Sequence, residues 1–246
     1  MNEKLFVSTF SSDDIPTWPC PECGFTSLNC QDDGFQKRYK NPIDFKHPCF
    51  DPEQIKYVFT LNLECANSKC GCSVICVGTG EVSQGYSKDG SGSWDWYEDF
   101  DVTYFQPPLQ IFIPPKDTPK LVKQALTTSF STFFASPSTS LSTLRTALEV
   151  LLGEMKVASV NDKGNFLPLA QRISTLPEHY QKIIKPANAI RFLGNDGTHS
   201  GYPVRQADVV DGYKIFSHIL DELYPENKAS IKALVAKVNE AKGIKR

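Results

Sequence analysis

The chain has 246 residues, 40% apolar and 22% charged, with a formal net charge of -2, which excludes a disordered polymer and leaves room for one large domain or two small ones. The net charge conceals a split: residues 1–115 carry 8 Lys/Arg against 16 Asp/Glu, and residues 116–246 carry 18 against 12. Opposite signs of this kind fit a nucleic-acid-facing half, two halves that attract each other, or solvated faces of different average charge.

The first segment, "MNEKLFVSTFSSDD", has no basic stretch followed by an apolar one, as a secretory signal would. No window reaches the roughly 18 apolar residues of a membrane span. The expectation is a cytoplasmic protein with no membrane contact. Its eight cysteines then read as metal ligands or buried apolar residues before disulfides.

"WPCPECGF" sets Cys20 and Cys23 two residues apart in a turn with Pro and Gly, and "LECANSKCGCSV" sets Cys65 and Cys70 in a second turn, again followed by Gly. Each short spacing lets two thiolates point into one tetrahedral site, and the glycine permits the tight turn. The pattern predicts a zinc ribbon with a structural Zn2+ held by Cys20, Cys23, Cys65 and Cys70, and no open position for catalysis. Cys72 competes with Cys70 as fourth ligand. Cys76 reads as a small buried residue, and Cys30, His47 and Cys49 in the insert are candidates for a second metal.

The runs "IKYVFTLNLEC" (55–65), "CSVICVGTGEV" (72–82) and "DVTYFQPPLQIFI" (101–113) are rich in Val, Ile, Thr, Phe and Tyr and are bounded by turn residues, so they are predicted strands. Between two of them, "SKDGSGSWDWYED" reads as a polar, Gly-rich loop. Its tryptophans either cap the small sheet or offer a binding platform.

At "QPPLQIFIPPKDTPK" the style changes. "DTPKLVKQALTTSFSTFF" opens with Asp117 or Thr118 as N-cap and Pro119 in the first turn, and "SPSTSLSTLRTALEVLLGEM" repeats that device with Ser136 and Pro137. Leu141, Leu144, Leu148, Leu151, Leu152 and Met155 share one helical face, with Arg145 and Glu149 spaced to pair beside it. "FLPLAQRISTL", "EHYQKIIKPANAIRFLG", "QADVVDGYKIFSHILDELY" and "NKASIKALVAKVNEAK" continue the pattern. The predicted class is α+β: a zinc-ribbon-like antiparallel β domain over 1–115, then a bundle of five or six helices over 116–246.

"NAIRFLGNDGTHSGY" gathers Arg191, Asn195, His199 and Tyr202 around two glycines. On a continuous helix Arg191, Asn195 and His199 recur every four residues, with Arg191 and His199 about 12 Å apart along the axis. Gly194 and Gly197 mark close packing of a neighbouring helix or a distorted last turn. Arg191 can equally pair with Glu149 on an adjacent helix, which would make it a structural residue.

"AIRFLGNDGTHS", "TLRTALEVLL", "YFQPPLQIFIPP" and the two cysteine turns resemble the bacterial domain-of-unknown-function family 4145 from about residue 18 to 224. That family is similar to the HEPN superfamily (higher eukaryotes and prokaryotes nucleotide-binding), helical domains common in toxin–antitoxin, restriction and antiviral systems. The resemblance implies one of two roles. In the first, the helical half is a non-catalytic, HEPN-like bundle that binds nucleic acid or a partner protein of a bacterial defence system. Lys182, Lys185, Arg205 and Tyr202 would then contact RNA or DNA. In the second it is a metal-independent RNase: His199 would act as general acid or base on the 2′-hydroxyl, Arg191 would stabilise the phosphorane, and Asn195 would orient the phosphate. HEPN nucleases place four to six residues between Arg and His. Here seven separate Arg191 from His199, and the four-residue position is Gly194. A homodimer through the helical domain is also implied.

Overall fold

In the computed structural model the chain is α+β, a five-stranded antiparallel sheet followed by helices. It describes residues 3–87, 92–199, 203–225, 235–236 and 238–240, with only the backbone at 196–199. Strands β1 (Trp18–Pro19), β2 (Thr26–Tyr39), β3 (Lys56–Cys65), β4 (Ser73–Tyr86) and β5 (Trp94–Gln106) lie in chain order across the sheet, as short connections favour. Burial alternates strictly along β3. Tyr57, Phe59, Leu61, Leu63 and Cys65 lie on the covered face and the residues between them point outward, the period of two that a one-sided sheet requires.

β2 has no counterpart among the expected strands. Asp32, Asp33 and Gly34 bulge out between the pairs Cys30–Leu63 and Phe35–Leu61, which breaks the alternation a strand would otherwise show. β5 begins inside the stretch expected to be a loop, pairing Trp94 with Tyr86 and Trp96 with Gln84. Backbone pairing extends this segment although its polar composition argues against a strand. β5 also stops at Gln106 rather than running to Ile113, because Pro107 and Pro108 have no amide N–H for a ladder.

The helices are α1 (Lys4–Val7), α2 (Lys120–Thr132), α3 (Pro137–Glu154), α4 (Leu169–Ser174), α5 (Gln181–His199) and α6 (Gln206–Leu223). Most of "NKASIKALVAKVNEAK" lies outside the described residues. Ser136 caps α3 by accepting the Thr139 amide, with Pro137 in the first turn. At α2, Pro119 itself takes the N-cap position and no side chain caps it. α3 lies against α2, α5 and α6 and buries Leu141, Leu144, Leu148, Leu151 and Leu152.

Two polar devices fix this packing. Tyr213 of α6 places its hydroxyl 2.9 Å from Ser129 Oγ of α2 and 2.7 Å from Ser140 Oγ of α3. Ser129 donates in turn to the Ser140 carbonyl and Ser140 to that of Ser129, so three buried hydroxyls are all satisfied. Burial pushes the Tyr213 phenol up and keeps it neutral. Arg172 of α4, 4% exposed, donates to the Glu149 carbonyl at 3.3 Å and so brings a cation to the negative end of α3.

The two halves meet through the N-terminal segment and the end of β5. Phe6 of α1 meets Phe133 edge-on at 6.3 Å, Glu3 pairs with Lys214 of α6, and Phe105 contacts Phe134 at 5.1 Å. Among the described residues, no helix is long and apolar enough to cross a membrane.

Gly194 is where α5 touches α3: a Cβ there would lie 2.5 Å from Arg145 Cβ. Gly194→Ala should therefore force the helices apart and cost about 1–3 kcal/mol. The check is a lower urea midpoint with an unchanged slope; an unchanged midpoint would contradict the close approach.

Candidate functional site

Two turns at one end of the sheet bring four thiols together. Cys20 follows β1 and Cys23 sits in the turn before β2, while Cys65 ends β3 and Cys70 lies in the turn before β4. In the first turn the Gly24 amide donates to the Cys20 carbonyl and the Cys20 amide to that of Phe25. In the second, the Cys70 and Gly71 amides both donate to the Asn67 carbonyl. Gly24 and Gly71 have φ of 74° and 59°, the left-handed region that glycine enters without strain. The Ala66 amide donates to the Ser27 carbonyl at 2.8 Å and ties the turns to each other.

The sulfurs of Cys20, Cys23, Cys65 and Cys70 all lie within 4.8 Å of one another. Cys20 and Cys70 are 3.7 Å apart, and Cys23 and Cys65 are 3.6 Å apart. Four sulfurs at about 2.3 Å from a common tetrahedral centre would be separated by about 3.8 Å, so the spacing fits a metal ion. Ser27 Oγ lies 3.1 Å from Cys65 Sγ and can support that ligand from outside.

The thiols are electrostatically unequal. A hydrogen bond from the Phe25 backbone, with smaller ones from neighbouring side chains, brings Cys23 down to about 6. The Cys72 backbone acts to lower Cys70, but desolvation and the three adjacent thiols push it up to about 12. A metal ion bound at neutral pH therefore displaces the Cys70 proton. Cys72, the rival ligand, stands outside the cluster with its Sγ 3.7 Å from the Ser73 carbonyl.

The remaining cysteines do not assemble a second centre. Among the described residues the tetrad is the one group of three or more candidate ligands close enough to share an ion. Cys76 is fully buried, and desolvation pushes its thiol up. Cys30 bonds its neighbouring Gln31 carbonyl, and His47 Nδ1 accepts the Cys49 amide.

The candidate residues of the helical half are more scattered. α5 runs unbroken from Gln181 to His199, so the backbone keeps Arg191, Asn195 and His199 on one helix. Arg191 Nε donates to Asn188 Oδ1 at 3.2 Å, and its guanidinium lies 4.1 Å from the Phe192 ring centroid. Glu149 pairs with Arg145 at 3.4 Å rather than with Arg191. The His199 side chain and Tyr202 lie outside the described residues. Lys182 pairs with Glu222 at 3.1 Å, Arg205 with Asp208 at 3.1 Å, and Lys185 is exposed. Lys182 and Arg205 stand at opposite ends of the α5–α6 pair, about 25 Å apart along the helices, so they do not form one patch.

The sequence reading passed over one feature of the sheet and left another open. Lys37, Glu98 and Tyr57 form a network on its covered face, with Glu98 accepting from both Lys37 and the Tyr57 hydroxyl. Of the two roles weighed for the tryptophans, a cap on the sheet is not what the structure shows, since Trp94 is 57% and Trp96 43% exposed. The clearest advance signal was the spacing of Trp94 and Trp96, two residues apart as on one face of a strand.

No curated protein and no solved structure matches the chain. The resemblance drawn above from about residue 18 to 224 divides at the change of style. Residues 8–107 match the model of a domain of unknown function (DUF8608), and residues 127–245 match that of the domain of unknown function DUF4145, so the helical half is similar to that family.

Proposed function

We propose that the protein is a non-catalytic module that binds a partner protein, with a structural Zn2+ held by Cys20, Cys23, Cys65 and Cys70. The observation that carries this reading is the sulfur tetrad. Four thiolates complete a tetrahedral shell, leave no position for water or substrate, and form a donor set that suits Zn2+. When bound, the ion would supply folding energy to the sheet rather than chemistry. On the HEPN-like reading of family 4145, the helical half serves dimerisation or binding in a cytoplasmic defence system.

Nucleic acid is the less favoured partner. The cations proposed for phosphate contact are widely separated, and Lys182 and Arg205 are each neutralised by a carboxylate that would itself repel phosphate. Catalysis is disfavoured by the seven-residue gap between Arg191 and His199 and by the contacts that turn Arg191 toward Asn188 and Phe192.

Wild-type protein and Cys72→Ser should each retain one zinc per chain by elemental analysis. Cys70→Ser should lose it, together with the near-ultraviolet dichroism of the packed sheet. Zinc retained by Cys70→Ser but lost by Cys72→Ser would assign the fourth ligand to Cys72.

A labelled mixed-sequence RNA, incubated without added divalent cations, should stay intact with wild type and with His199→Ala alike. Cleavage by wild type that disappears in the folded variant would establish the metal-independent RNase instead.

A further inference from the structure

The connection between the halves, residues 107–119, runs against the first cysteine turn. Gln110 Nε2 donates to the Pro21 carbonyl at 2.7 Å. Pro21 follows Cys20 directly, so this bond grips the turn between its two thiols. At the far end of the turn Gly24 has a φ of 74°, and a Cβ there would lie 2.3 Å from Ile113 Cδ1. The isoleucine therefore rests on bare glycine backbone. The turn's own bonds run from the Gly24 amide to the Cys20 carbonyl and from the Cys20 amide to that of Phe25. Gln110 and Ile113 reach it from outside the sheet.

The same short segment also holds the helices. Leu109 and Ile111 are buried, and Phe112 meets Phe130 of α2 at 5.4 Å and Tyr213 of α6 at 6.0 Å. Within four residues the chain thus fastens the cysteine turn with Gln110 and Ile113 and the helical core with Phe112. A cleft of about 390 Å³ opens beside this crossing, lined by Phe6 of α1, Pro19, Gly24, Gln110 and Ser217 of α6 among others. The crossing is not packed solid, so no continuous interface backs the two anchors.

Ligand sulfurs are placed by the backbone that carries them, and groups outside the ligand shell that fix this placement strengthen metal binding. A turn held in advance loses less freedom when the ion binds. Linkage makes the effect reciprocal: a contact that favours binding is itself favoured by it.

We propose that Gln110 and Ile113 are positioning residues for the metal ion. They hold the Cys20–Cys23 turn in its ligating geometry, so that zinc binding and the seating of the connection on the sheet form one linked equilibrium. This assignment rests on the structural-zinc reading above and extends it to residues beyond the sulfurs. Zinc loss releases the connection while the helices stay folded.

The test measures the zinc dissociation constant of the full chain by competition with a chromophoric chelator, for wild type, Gln110→Ala/Ile113→Ala and Gly194→Ala. Trypsin cleavage after Lys116, an exposed residue of the connection, is followed on the zinc-loaded proteins by mass spectrometry. The double variant should bind zinc about tenfold more weakly. It should also be cut after Lys116 several-fold faster, since cleavage follows the opened population. Ile113 is 61% exposed and Gln110 half-buried, so the variant should fold with its helical circular dichroism unchanged. Gly194→Ala perturbs the packing of α5 on α3 and should leave the zinc constant as in wild type. An unchanged zinc constant in the double variant would overturn the assignment. An equal loss in Gly194→Ala would overturn it too, by reducing the effect to general stability. Weaker zinc binding with unchanged cleavage would overturn the linked equilibrium. A wild-type chain that takes up no zinc would instead sink the structural-zinc reading itself, so the two failures are distinguishable.

Discussion

Four sulfurs within 4.8 Å of one another are an arrangement that ionised thiols resist, since like charges at such separations repel and hold protons on some of the group. The high value of Cys70 beside the low one of Cys23 expresses that conflict. A dication removes it by becoming the largest local charge. The sheet is built around this constraint. β1 has two residues, and its place beside β2 is fixed by the turn that carries Cys20 and Cys23. Pairing of Leu28 with Cys65 sets the second turn next to the first.

From the same corner the constraint passes to the rest of the chain. Trp18, two residues before Cys20, is 1% exposed, and its indole N–H donates to the Leu5 carbonyl. Leu5 belongs to α1, whose Phe6 packs on Phe133. Loss of the sulfur cluster would therefore loosen the N-terminal segment where it meets the helices. The helical half needs no such clamp. Its continuous apolar faces close around α3, and the three linked hydroxyls fix α2, α3 and α6 without an unpaired group. A small sheet fastened by metal beside a self-sufficient bundle follows from how much apolar surface each can bury.

The legible parts of the sequence were those with a strong local period. β3 and β4 alternate, α3 repeats leucine at three and four residues behind a Ser-Pro start, and the paired cysteines announce their own turns. β2 was hidden because Asp32, Asp33 and Gly34 bulge out of register and its second half, Gln36 to Tyr39, is mostly polar. The start of β5 was hidden for another reason. Trp94-Asp95-Trp96 alternates like a strand, but neither face is covered, and the pattern rules assume that one is. The candidate site was legible where covalent spacing dictates geometry, at the cysteines. It was not legible at Arg191, whose orientation depends on Asn188 and Phe192 as well as on the helix that carries it.

The charge split takes on a different meaning once contacts replace averages. In the helical half Arg145, Lys182, Arg205 and Lys214 all face carboxylates, so a surplus of basic residues does not become a continuous positive surface. Exposed pairs of this kind stabilise little, but each one flattens the local potential that would steer a polyanion. In the sheet half Lys37 and Lys56 answer Glu98 and Glu81, while Asp13, Asp95, Asp99 and Asp101 have no ion-pair partner among the described residues. Among the described residues, carboxylates without an ion-pair partner therefore remain in the sheet half, and cations without one, such as Lys120 and Lys185, remain on the helices. The charge split of the sequence thus does not by itself mark either half as a surface for a polyanion.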